Sequence, residues 1–255
     1  MSDLGKMAEI VDDAARLATE IPQLTTLQDL SVDDAYAIQA LSLARRYARG
    51  ERRVGMKMGL TSRAKMAQVG VDEMVWGRLT DAMQVEEGGS IALSRYVHPR
   101  VEPEVAFLLK APLAGRVSMT QAMAAVEAVA PAMEIIDSRY KDFKFVLADV
   151  VADNSSSSGF IVGPWSKPDL DVGNLGLVMS VDGRPVQVGS TAAILGHPLR
   201  SLVAAARLVA QWGERLEAGW IVLAGGATAA HPLAAGMTVR TEMQSLGSVS
   251  FRVEG

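Results

Sequence analysis

The chain has 255 residues, no cysteine and three histidines, at positions 98, 197 and 231, which excludes disulfides, a thiol nucleophile and a thiolate zinc site. Its net charge of −4, from 25 basic and 29 acidic residues, gives no surface suited to nucleic acid or an anionic membrane. With 49% hydrophobic residues, a chain of this length buries a core without staples, and any metal it holds should have mostly oxygen ligands.

Residues 4–20 carry apolar side chains at helical spacing: Leu4, Met7, Ile10, Val11, Ala14 and Leu17. The start lacks the basic residues and apolar run of a signal peptide, so a cytoplasmic protein is expected. A second helix is predicted over 32–49, with Ser31 as N-cap, Asp33 and Asp34 in its first turn and Gly50 at its end. Residues 1–50 thus read as an N-terminal helical segment, and 51–255 as a β-rich domain.

Beyond residue 50, glycines at 55, 59, 70, 77, 88 and 89 punctuate short segments. Strand-like runs follow at 101–109, 132–137, 160–162, 175–181, 221–223, 238–241 and 249–253. Asp182-Gly183 marks a hairpin turn. Helices are predicted over 120–129 and 198–212, the latter bounded by His197-Pro198 and Gly213. Strands do not alternate regularly with helices, which favours an α+β fold with an antiparallel or mixed sheet. No apolar stretch reaches the roughly 18 residues of a membrane span. Residues 201–212 come nearest, and Arg207 interrupts them. A phosphate loop and a G-x-G-x-x-G after a strand are both absent, and Gly225-Gly226 is weak evidence for a nucleotide.

The chemistry concentrates in four segments. In His98-Pro99-Arg100-Val101-Glu102-Pro103-Glu104, the two glutamates face the same way on an extended strand. They repel unless a cation or an arginine neutralises them. A solvated face paired with Arg100 and Lys110 is the plain alternative. Pro103 donates no ladder hydrogen bond, which suits an edge or bulged segment. Glu134 lies inside an apolar run, where an unpaired carboxylate is costly. Three glutamates would suit a hard divalent ion such as Mg²⁺ or Mn²⁺. Lys57, in Gly55-Met56-Lys57-Met58-Gly59, either snorkels to water or directs its ammonium at an anionic substrate. Residues 149–159 contain four consecutive serines, Ser155 to Ser158, which form either a flexible loop or a carboxylate-binding pocket.

Six segments in order carry a resemblance: GMKMGLTS at 55–62, VDEMVWGRLTDAM at 71–83, HPRVEPEVAF at 98–107, PAMEIIDSRY at 131–140, VADNSSSSGF at 151–160 and AGGATAAHPL at 224–233. The chain resembles the 2-keto-4-pentenoate hydratase and 4-oxalocrotonate decarboxylase family, of the fumarylacetoacetate hydrolase-like superfamily. Lys57, SRAKM at 62–66, WGRLTDAM at 76–83, DSRYKDFKF at 137–145 and the serine run are more similar to the decarboxylases.

The resemblance implies a strongly curved mixed β-sheet or β-roll core with an N-terminal helical segment. It implies Mg²⁺, with Mn²⁺ as the alternative, on Glu102, Glu104 and Glu134, so that 51–255 is the metal-binding catalytic domain. Lys57 would contact substrate or move a proton. Asp81 matches an acidic position near the site, Ser156 would line the carboxylate pocket, and Thr228 and Leu60 would contact substrate. Met56, Met58, Val75 and Trp76 are candidate apolar walls together with Leu60.

The implied substrate is a small 2-oxo dicarboxylate, 2-oxohex-3-enedioate, formed in meta-cleavage of aromatic compounds. The implied products are 2-hydroxypenta-2,4-dienoate and CO₂. The alternatives are a hydratase of that dienoate, a weakly catalytic subunit stabilising a hydratase partner, and a carbon–carbon hydrolase with His98 as base. A complex with the pathway hydratase or a homo-oligomer is implied, with neither nucleic acid nor membrane as partner.

Overall fold

A computed structural model describes residues 3–62, 66 and 73–255. Positions 63–65 of the SRAKM segment, position 70 and positions 71–72 of the tryptophan-containing segment lie outside the described residues.

Two helices open the chain, α1 (Asp3–Leu17) and α2 (Val32–Ala48). Ser31 caps α2 through a reciprocal box with Asp34: the Ser31 hydroxyl accepts from the Asp34 N–H at 3.0 Å, and the Asp34 carboxylate accepts from the Ser31 N–H at 3.1 Å. Asp12 joins the helices. Its carboxylate is fully buried and accepts from Arg45 at 2.8 Å and from Arg49 at 2.6 and 2.7 Å.

The strands follow as β1 (Arg53–Gly59), β2 (Val75–Thr80), β3 (Gln84–Val85), β4 (Ser90–Ala92), β5 (Pro99–Leu109), β6 (Val126–Asp137), β7 (Ser157–Val162), β8 (Gly176–Val181), β9 (Arg184–Ser190), β10 (Ile221–Leu223), β11 (His231–Pro232), β12 (Thr238–Met243) and β13 (Gly247–Glu254). The larger sheet runs β2-β1-β10-β5-β6-β7-β3, with β11 also paired to β5. The smaller runs β4-β13-β12-β8-β9. Parallel pairs β1–β10, β3–β7 and β4–β13 make both sheets mixed. Short helices α3 (Met119–Ala124) and α4 (Leu147–Ala152) and the longer α5 (Pro198–Gln211) complete the fold.

The alternation of β5 and β6 divides the core. Val105, Phe107 and Val129 pack outward with Met56, Met58 and Trp76 against the helices. Val101, Met133 and Ile135 pack outward against Val239, Val249 and Phe251 of the smaller sheet. The even-numbered residues face the other way, where Ala106, Ala130, Ala132, Phe160, Leu79 and Leu223 fill one end of the curl. A strand with both faces covered reads as continuously apolar, so a polar residue on its inner face stands out.

Three expectations change. The segment predicted as helix over 120–129 is a helix only to Ala124, and β6 begins at Val126, because its second half packs in the sheet between β5 and β7 rather than on a helix face. β5 is an interior strand, not an edge. Pro103 is accommodated because β10 ends at Leu223 and β11 starts at His231, leaving no strand opposite it on that side. Finally, Thr191–Gln211 does pass a length and composition test for a membrane span, with mean hydropathy 1.2, but 56% of that window is buried inside the protein and α5 is a core helix.

Replacing Asp12 by Asn should lower the unfolding free energy by about 2–3 kcal/mol, less than for a fully buried pair because both arginines stay partly solvated. Chemical denaturation measures this, and a loss under about 0.5 kcal/mol, the range of ordinary surface substitutions, would show that the cluster does not hold α1 on α2.

Candidate metal centre

Glu102 and Glu104 lie two residues apart on β5, and Glu134 is directly opposite Glu102 on β6. All three face the inside of the curl, and each offers a carboxylate oxygen within 4.8 Å of the others. Glu104 is fully buried and Glu134 is 1% exposed. One oxygen of Glu104 accepts from the Gly225 N–H at 2.6 Å, and one of Glu134 accepts from the Lys57 ammonium at 3.3 Å. The second oxygen of each is buried without a hydrogen-bond partner.

The electrostatics follow from that crowding. Burial, then the charges of Glu134 and Glu102, push the Glu104 carboxyl well above the usual carboxylate range. Burial also pushes Glu134 up, against the opposing pull of Lys57. Orphaned, desolvated carboxylate oxygens converging on one point are costly unless a cation takes them. The all-oxygen donor set suits a hard divalent ion. Glu102, Glu104 and Glu134 would hold it.

Lys57 does not snorkel. Its residue is 4% exposed, and β1 places it on the inner face opposite Gly77. Asp81 is not with this group. It follows β2 at the apolar end of the curl, four residues beyond Gly77, and is bound to Arg52 through the backbone N–H at 2.9 Å and the guanidinium at 3.1 Å. Those bonds, the backbone one first, hold its carboxyl below the usual range.

Ser156 is 9% exposed, at positive φ, and its N–H is spent on the Asp153 carbonyl. Its neighbour Ser157 is fully buried, and the Ser157 hydroxyl lies beside Glu134, favouring its ionised form without closing a hydrogen bond. Leu60 leaves β1 at φ +55° and packs against the helix-side core. The Thr228 hydroxyl turns to the Ala229 carbonyl at 3.1 Å. Met56, Met58 and Trp76 belong to the outer core, not to a substrate wall, because they alternate with the inward Lys57 and Gly77, whereas Val75 shares the face of Gly77 and lies on the Lys57 side of the sheet. His98 points away, bonded to the Ser138 carbonyl at 2.9 Å and to Glu20 at 2.9 Å.

Gly225 was legible only as half of a glycine pair. Its φ is +102°, and a Cβ there would meet the Thr61 hydroxyl at 2.1 Å, so no other residue presents this N–H to Glu104. Ser157 was hidden in a serine run whose register the sequence leaves open.

Gly225→Ala should weaken Mg²⁺ binding by about tenfold or more, roughly the value of a hydrogen bond to a charged group. Isothermal calorimetry reads this directly, and unchanged affinity would remove Gly225 from the site. Because the raised carboxyls hold protons in the ion-free protein, Mg²⁺ binding should release protons and strengthen as pH rises. The same shift has a stability sign. Ion-free protein loses stability as pH climbs from the ordinary carboxylate range through the raised values, and Mg²⁺ restores it. Equal Mg²⁺-induced shifts in Tm at low and high pH would contradict this.

The fumarylacetoacetate (FAA) hydrolase C-terminal family model matches residues 48–254. A 4-oxalocrotonate decarboxylase from a Pseudomonas species is 60% identical over 252 residues, 99% of this chain and 98% of that protein. A 2-keto-4-pentenoate hydratase from Paraburkholderia xenovorans (strain LB400) is 38% identical, over 91% of this chain and 88% of its own. The solved structure of 4-oxalocrotonate decarboxylase from Pseudomonas putida G7, complexed with magnesium and adipate, superposes with a TM-score of 0.95 at 41% identity, covering 98% of this chain and 97% of that one. With its helical start, its curled mixed sheet and these relatives, the chain belongs to the fumarylacetoacetate hydrolase family, in the branch that holds the 4-oxalocrotonate decarboxylases and 2-keto-4-pentenoate hydratases.

Proposed function

We propose that this chain is a Mg²⁺-dependent decarboxylase that converts 2-oxohex-3-enedioate (4-oxalocrotonate) to 2-hydroxypenta-2,4-dienoate and CO₂ in the meta-cleavage breakdown of aromatic compounds. The observation that carries the reading is the Glu102–Glu104–Glu134 cluster, in which the buried Glu104 and Glu134 each leave one orphaned oxygen beside the buried Lys57. Mn²⁺ is the alternative ion. Bound there, a divalent ion supplies a Lewis acid for the 2-oxo oxygen of the substrate.

The chain's own residues supply the rest. The C5–C6 bond breaks as CO₂ leaves, its electron pair becomes the C4–C5 double bond, the C3–C4 double bond moves to C2–C3, and O2 takes the charge and then a proton. No nucleophile attacks, in keeping with a chain that has no cysteine. Lys57, buried beside Glu134 inside the curl, is our candidate to steady the developing negative charge and to move a proton. The apolar end formed by Leu79, Ala106, Phe160 and Leu223 excludes water from the reacting chain.

The closer likeness to a decarboxylase, 60% against 38% for the hydratase, favours decarboxylation over hydration. A complex with the pathway hydratase, or a homo-oligomer, belongs to the same reading, as do a cytoplasmic location and the assignment of 51–255 as the metal-binding catalytic domain.

Ultraviolet spectroscopy with each substrate separates the reactions: 2-oxohex-3-enedioate should give the dienoate, and added 2-hydroxypenta-2,4-dienoate should persist. Hydration of the dienoate faster than its formation would reverse the assignment. Lys57→Ala should lower kcat by about 10²-fold or more, the span of positioned proton-transfer and charged groups, while leaving Mg²⁺ affinity within about threefold. Wild-type turnover in that variant would leave Lys57 without a catalytic role.

A further inference from the structure

The curl of the larger sheet brings β2 near β7, and a short turn, Asn154–Ser156, bridges the gap. Asn154 imitates a strand: its side-chain oxygen accepts from the Arg78 N–H at 2.8 Å, and its amide donates to the Arg78 carbonyl at 2.9 Å. Ser155 donates to the Trp76 carbonyl at 2.8 Å. A Cβ on Gly77 would meet the Asn154 carbonyl oxygen at 2.4 Å, so the close approach requires glycine.

This turn is an unfavourable conformation held in place. Asn154, Ser155 and Ser156 have φ of +50°, +51° and +60°, three consecutive left-handed residues where even single ones are uncommon. The strand that follows is also irregular. Gly159 pairs with Ile135 but Ser157 pairs with Ile136, so Ser158 is an inserted, bulged residue. The bulge turns Ser157 toward Glu134 and Ser158 to the opposite side.

One buried side chain holds both ends of the segment. Arg139, 1% exposed, donates from Nε to the Asp153 carboxylate at 2.7 Å and from Nη2 to the Asp153 carbonyl at 2.9 Å. Its backbone N–H reaches the same carboxylate at 3.2 Å, and its Nη1 donates to the Ser158 hydroxyl. Arg139 and Ser158 line a cavity of about 730 Å³ that also touches Arg46 and Tyr96. The Ser158 hydroxyl, next to Ser157 in the bulge, takes Arg139 as its donor and itself reaches the Ser156 carbonyl at 3.3 Å.

We infer that Arg139 is a positioning residue of the metal centre: by gripping Asp153 and the bulged Ser158, it keeps the Ser157 hydroxyl facing the glutamate cluster, where it receives a carboxylate of the 2-oxo acid. This rests on the reading of the cluster as the seat of a metal-chelated 2-oxo acid. Ser157 touches the ligand, and Arg139 and Ser158 act only through it.

The test uses full-length protein titrated first with Mg²⁺ and then with 2-oxohexanedioate, the saturated analogue that cannot lose CO₂ by this route. Ser158→Ala cuts the clamp without stranding a buried charge. It should weaken analogue binding by about tenfold, leave Mg²⁺ affinity within about twofold, and speed amide exchange across 154–158. Arg139→Lys, which keeps a cation beside Asp153 but loses the fork that holds both Asp153 and Ser158, should weaken analogue binding at least as much as Ser158→Ala. A purely structural role would lower Tm and leave analogue affinity alone. Unchanged analogue affinity in Ser158→Ala, with wild type binding both ligands, overturns the clamp and leaves the proposed function standing. Failure of wild type to bind Mg²⁺ or the analogue overturns both.

Discussion

Three carboxylates, two of them buried, converge on one place inside the curl, and much of the molecule is arranged around that fact. Like charges in a low-dielectric interior cannot all stay ionised without compensation. Here the compensation comes from Lys57 on a third strand, from the Gly225 backbone on a fourth segment and from the acceptor geometry left open for a cation. Each of these needs the sheet to curl. In a flat sheet, β1 and β6 lie three strands apart, and the Lys57 ammonium would not reach Glu134.

The curl is itself held by polar and apolar devices of different kinds. Apolar residues at one end of the inner face fill the space where no chemistry is needed. At the serine turn, side-chain amides and hydroxyls take over the ladder that a strand would otherwise supply. That turn carries backbone strain, which is common where a site must be aimed rather than merely enclosed. Glycines at 77 and 225 mark where backbone must approach closer than any side chain permits.

Much of this was visible in the residues. The E-x-E spacing on a strand places both glutamates on one face whatever the tertiary structure, and Glu134 in an apolar run announces a carboxylate that needs a partner. Lys57 among glycines and methionines was ambiguous between snorkelling and burial, and only the inner face of β1 decides it. The helical start, the mixed sheet and the curled core follow from capping signals, strand patterning and family resemblance. What stayed hidden depends on register or on distant contacts. A serine run cannot show which hydroxyl faces inward when one residue is bulged. Asp81 sits near Lys57 in strand order, yet four residues along a strand is far enough to leave the site. The methionine and tryptophan side chains look like pocket walls until alternation puts them on the helix side. The end of α3 fails for a different reason, since residues 125–129 suit either element and sheet pairing decides.

The proposed reaction requires that the glutamate cluster hold the divalent ion. The most direct measurement is CO₂ release from 2-oxohex-3-enedioate by metal-stripped protein as Mg²⁺ is added back. We expect no release in EDTA, a rise that saturates at one Mg²⁺ per chain, and none at the same Mg²⁺ concentrations in a folded Glu104→Gln variant. Release at the full rate in EDTA, or from that variant, would show that the reaction does not run on an ion held by these glutamates.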